Sequence, residues 1–165
     1  MCHLRIETTP EIRVGGLSVW IRRRQFPGAT EYYDANWLIV DIACEVSGAV
    51  VRLDNEPCLM TTELAGWRDR CADLLAGATT IAELPAMEPY LSVVIERRGT
   101  GDAKTTASRP WRVGIWAKVR VSSDNVTQFH EFQFPLDESD VERVTNELSA
   151  ALDRYPVHGA PPRRE

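Results

Sequence analysis

Side chains able to do acid–base, nucleophilic or metal chemistry are scattered along this 165-residue sequence. The three histidines are His3, His130 and His158. Two lie near the ends, and alternation puts His130 on one face with Phe132 and Phe134, the pattern of a core histidine rather than a general base. The four cysteines, Cys2, Cys44, Cys58 and Cys71, form neither a C-x-x-C pair nor a C-x-x-H. The apolar phasing of Cys44 and Cys71 marks them as small hydrophobes. Cys2 beside His3 offers two adjacent ligands, too few for a metal site. No G-x-S-x-G, H-E-x-x-H, P-loop or dinucleotide fingerprint occurs. The 24 Asp and Glu leave room for a hydrolytic carboxylate pair, but no spacing singles one out. The expectation is a protein without catalytic residues, cofactor or metal, with a carboxylate-pair hydrolase as the enzymatic alternative.

Charge and composition narrow the partner class. The chain is 44% hydrophobic and 26% charged, with 19 Lys and Arg against its 24 acids and a net charge of -5. Those fractions suit an ordinary globular protein large enough to bury a core without disulfide or metal staples. An acidic balance speaks against gripping nucleic acid directly, and the tract Arg22-Arg23-Arg24 is short enough to be a solvated strand end. Residues Met1 to Pro10 show no signal-peptide pattern, and Asp41 and Glu45 break the most apolar window, Trp37 to Val51. A cytoplasmic protein that does not enter a membrane is expected.

Alternation and turn chemistry place the elements. Ile12 and Val14 lead through Gly15-Gly16 into the alternating Leu17, Val19 and Ile21. Arg22 to Ala35 reads as a polar loop. Trp37 to Val46 is the clearest strand, turned at Ser47-Gly48 into a return over Ala49 to Leu53. Leu64, Trp67, Cys71, Leu74 and Leu75 recur at helical spacing, with Thr61 or Thr62 as cap, Glu63 in the first turn and Gly77 to end the helix. Strands follow at Tyr90 to Arg97, Trp111 to Val121 and Val126 to Phe134, separated by a polar Gly99 to Arg109 loop and a Ser122 to Asn125 turn. Asp137 caps a last helix with Asp140 completing a capping box, and Val141, Val144, Leu148 and Leu152 form its apolar stripe. No repeat of fixed period is visible. Short connections require antiparallel pairing. The fold class is therefore α+β: a mainly antiparallel β-sheet of about seven or eight strands with two amphipathic helices. Residues 1–155 form the single domain and 156–165 a flexible C-terminal tail.

The order Tyr33-Asp34-x-Asn36-Trp37-Leu38, then Thr62-Glu63-Leu64 opening a helix, then Glu88-Pro89-Tyr90-Leu91, and later an alternating Phe132-x-Phe134 strand with a closing helix, resembles the WapI-type immunity proteins of bacteria. The resemblance spans roughly residues 11 to 155. It implies a non-catalytic binding protein that neutralises a cognate toxin domain, often a nuclease, by direct protein–protein contact. A basic nuclease suits the acidic balance, because complementary potential speeds encounter. The best contact residues are then the acids expected on loops: Glu31 and Asp34 before the clearest strand, Asp54 and Glu56 after its partner. The alternative is a structural or regulatory domain that self-associates as a homodimer.

Overall fold

The computed structural model describes residues 9–99, 113–122 and 128–162. Chain order runs β1 (Ile12–Val14), β2 (Leu17–Arg24), α1 (Tyr32–Asn36), β3 (Trp37–Val46), β4 (Ala49–Met60) and α2 (Thr61–Leu75). It continues through β5 (Ile81–Glu83), β6 (Leu91–Arg98), β7 (Gly114–Ser122), β8 (Phe129–Leu136) and α3 (Glu138–Arg154). The strands make two four-stranded antiparallel sheets, in the orders β1-β2-β3-β4 and β5-β6-β7-β8. The α+β class with about eight antiparallel strands is thus observed.

Each half of the chain is a four-stranded meander followed by a helix. The two helices are exchanged: α2 packs on β5 of the second sheet, α3 on β1 of the first, and the helices pack on each other. Leu64, Trp67, Cys71 and Leu74 of α2 meet Val141, Val144, Leu148 and Leu152 of α3 in one continuous core, joined by Val19 and Ile42 from one sheet and Val93 and Val119 from the other. No sequence period announces this repeated topology.

Several elements follow their local signals closely. β3 occupies the alternating run, and Gly48, at φ 84°, makes the turn into β4. Asp137 accepts from the Asp140 N–H at 2.9 Å, and Asp140 returns the bond to the Asp137 N–H. Other places differ. Arg22 to Ala35 is not all loop, since β2 extends through Arg24 and a short helix closes on Asn36. β4 runs on to Met60, so the residue flanking α2 is Met60 rather than Thr61 or Thr62. The three-residue β5 carries too few alternations to be read from sequence. His130 is exposed near the start of β8, whereas Phe132 and Phe134, in phase with it, pack against the core. The Gly99 to Arg109 loop beyond Gly99, Trp111 and the turn after Ser122 lie outside the described residues, as does Cys2.

Candidate functional site

The motif residues come together around the junction of β4 and α2. Asn36, fully buried at the end of α1, uses its whole amide. Its Nδ2 donates to the Tyr32 carbonyl at 2.6 Å and the His158 carbonyl at 2.9 Å. Its Oδ1 accepts from the His158 N–H at 2.9 Å and from the Thr61 hydroxyl. One side chain therefore closes a helix, receives the start of another and holds the chain beyond α3.

Glu63, 4% exposed, serves the next connection. Its carboxylate accepts from the Met60 N–H at 2.8 Å and the Met87 N–H at 2.6 Å. It thereby ties the start of α2 to the segment that carries Glu88-Pro89-Tyr90. Burial pushes the Glu63 carboxyl up from its usual range, against the pull of these two N–H donors. Trp37 pairs in register with Met60, bringing the first motif beside the second. The bonds of Asn36 and Glu63 thus tie α1, the start of α2, the segment before β6 and the chain beyond α3 together.

Asp41 is the other buried carboxylate among the described residues, 2% exposed on β3. The Arg22 guanidinium donates to its Oδ2, with Nε at 2.7 Å. Its Oδ1 accepts the Asn55 N–H at 2.7 Å. Asn55 has φ 62°, a left-handed residue in β4 where the pairing with β3 slips register. Asp41 satisfies the amide that this bulge would otherwise leave unpaired.

The bulge decides where two of the expected contact acids sit. Asp54 and Glu56 flank Asn55 within β4, not on a loop after it, with Asp54 exposed and Glu56 half-buried. This is a correction of their expected placement, and its cause is the unforeseen length of β4. Glu31 and Asp34 are exposed at α1, on either side of the half-buried Tyr32 and the 48% exposed Tyr33. The acids thus fall into two groups, one at the bulge of an edge strand and one around α1. Asn36, Asp34 and Glu63 belong to motifs visible in the sequence. The roles of Arg22, Asp41 and His158 carry no local signal, since each acts on a distant segment.

Two clefts open on the described surface. One, of about 350 Å³, lies between α1 and the chain after His158 and includes Glu31 in its wall. The other, about 200 Å³ on the outer face of the second sheet, is lined by Glu83, Ser92, Lys118, Arg120 and Glu131 among others. Asp41 and Glu63 line neither cleft. Glu83 and Glu131 are both exposed, and Glu131 pairs with Arg120 at 3.3 Å, an arrangement of surface ion pairing rather than of a sequestered acid pair. Among the described residues, no cluster of three His, Cys, Asp or Glu is placed to hold a metal ion. No described helix is long and apolar enough to cross a membrane.

The buried thiols are chemically quiet. Burial raises Cys44 to about 11 and Cys58 and Cys71 to about 12, so all three stay protonated at neutral pH.

Among solved structures, one chain from a guideRNA-binding protein complex bound to a gRNA is similar at 10% identity and a TM-score of 0.36, over 86% of this chain and 92% of that one. That likeness is too slight to bear on fold or activity. No curated protein matches the sequence. The model of the immunity protein WapI-like family matches residues 10–156, including all three motifs that meet around Asn36 and Glu63, and the chain belongs to that family.

Proposed function

We propose that the chain is a non-catalytic immunity protein that neutralises a cognate toxin domain by direct contact in the cytoplasm. Family membership across residues 10–156 is the observation that carries this reading. The structure adds a division of labour that suits it. The motif residues Asn36, Thr61 and Glu63 are buried and bonded, while Glu31 and Asp34 stand exposed beside Tyr33. A tyrosine flanked by acids suits the basic surface of a nuclease, where charge complementarity speeds association and the ring supplies buried area. Asp54 and Glu56 at the β4 bulge are a second set of contact acids.

The decisive experiment is a pull-down with the toxin domain encoded beside this gene, paired with a growth assay under toxin expression. Retention of the toxin and rescue of growth are expected. Absence of binding to every neighbouring toxin domain sinks the proposal. A second reading, self-association as a homodimer, is favoured by Val50 and Phe129, which are 50% and 54% exposed on the edge strands β4 and β8. Sedimentation of the purified chain separates the two, because a stable dimer that ignores toxin supports the second.

A further inference from the structure

The segment after Tyr155 contains three prolines and a charged end, yet it is fastened to the body at α1. The Arg24 guanidinium donates to the carbonyls of both Ala35 and Pro156. Two residues on, Asn36 grips the N–H and the carbonyl of His158 together, as a neighbouring strand would. Gly159, at φ 72°, then turns the chain along α1, where a Cβ would lie 3.8 Å from the Tyr32 ring. The result is a cleft with Glu31, Tyr32 and Tyr33 on one wall and Gly159, Ala160 and Pro162 on the other.

The chemistry of that cleft is specific. Tyr32 and Tyr33 stand edge to face, with centroids 5.3 Å apart and planes at 77°. Glu31 lies at the rim, and Asp34 is exposed on the same short helix. Aromatic faces with a carboxylate beside them form a seat for a guanidinium or ammonium group, which needs a counter-ion and a ring to cover its flat side. None of the described lining residues is basic.

We propose that this cleft receives an arginine or lysine side chain from the protein partner, and that the strap Pro156–Pro162 must be docked for the cleft to exist. The proposal rests on the reading of the chain as a partner-binding immunity protein and names the surface and the chemistry by which it binds. Docking and recognition are then linked, since whatever loosens the strap removes one wall of the seat.

The test needs no toxin, so its failure leaves the immunity reading standing, and a failed pull-down leaves the peptide titration to decide the cleft. The full chain, labelled with nitrogen-15, is titrated at low salt with the peptide acetyl-Gly-Arg-Gly-amide, and acetyl-Gly-Gln-Gly-amide serves as the neutral control. Saturable amide shifts at Tyr33 and Gly159 with the arginine peptide alone are expected. The exposed-site variants Glu31→Gln and Tyr33→Ala each weaken the response, and the double variant weakens it about tenfold. A chain ending at Tyr155 loses the response while keeping its far-ultraviolet circular dichroism. Should that truncation unfold, Gly159→Val, which strains the turn of the strap, carries the same arm. Equal shifts with both peptides, or no shifts at the cleft, overturn the cation seat. An undiminished response without the strap overturns the linkage.

Discussion

At the scale of single residues, the molecule depends on polar side chains that join segments distant in sequence. Asn36 reaches Thr61 and His158, 25 and 122 positions away, while making four hydrogen bonds. Asn36→Ala leaves those partners buried and unpaired, so a loss of about 2–4 kcal/mol is expected in urea unfolding. A shift of less than a quarter of that would mean that water replaces the amide. Glu63 gives a prediction with a sign. Burial holds its folded-state pKa above the ordinary 4.5, with the Met60 and Met87 N–H groups opposing. A raised carboxyl contributes stability below its unfolded pKa and loses it as pH climbs through the folded value. Glu63→Gln does not titrate, so its stability relative to the native chain rises with pH across the window that starts near 4.5. Urea midpoints for both proteins between about pH 4 and about pH 7 check this, and a pH-independent difference would refute it. Both residues were legible as turn and cap formers, because that chemistry is local. Their long-range partners were not, since nothing in a sequence marks which carbonyl a buried amide will find.

The elements show why some boundaries were readable and others were not. The capping box at Asp137 and Asp140 formed as its spacing foretold, because a cap is satisfied within one turn. β4 outran its apolar pattern because Asp41 on the neighbouring strand satisfies the bulge at Asn55 and lets pairing resume as far as Met60. Polar residues in an edge strand look like loop. The glycine turns divide in the same way. Gly48 has nothing within 4 Å of a Cβ, whereas at Gly16 a Cβ would sit 2.0 Å from the Glu45 carbonyl and 2.9 Å from the Phe134 ring. Gly48→Ala therefore carries only the cost of a left-handed turn, about 1 kcal/mol. Gly16→Ala forces backbone apart where β2 and β3 meet, and is expected to cost more than about 3 kcal/mol or prevent folding. Thermal unfolding of the two variants side by side measures the contrast, and equal losses would show that the sheet gives way easily. The bulge also re-aims Asp54 and Glu56, which bears on how a partner would meet that edge.

For the whole molecule, the exchanged helices are the main consequence of the topology. Each helix lies against an edge strand of the other half's sheet, and the two helices rest on each other. A chain divided between Thr80 and Ile81 therefore leaves two halves with uncovered apolar faces. Each half alone is expected to be unfolded, and mixing the two is expected to restore sheet and helix signals in circular dichroism. A first half that folds cooperatively by itself would contradict the shared core. The partner-binding reading belongs to this scale too, since α1, β4 and the strap come from three separate parts of the chain.

What the sequence determined by itself is whatever nearest-neighbour chemistry governs: the alternation of β3, the caps, the Gly48 turn, the stripe of α3 and the acidic balance. The motifs at Asn36 and Glu63 were also visible there, and they pointed to the family. Only the tertiary structure decided that these motifs converge, that α2 and α3 change places, and that the strap after Tyr155 builds a wall beside Tyr32 and Glu31. The reason is physical. Local elements are selected by bonds within a few residues, whereas the pairing of distant buried groups is selected by which arrangement leaves no polar atom and no apolar face uncovered.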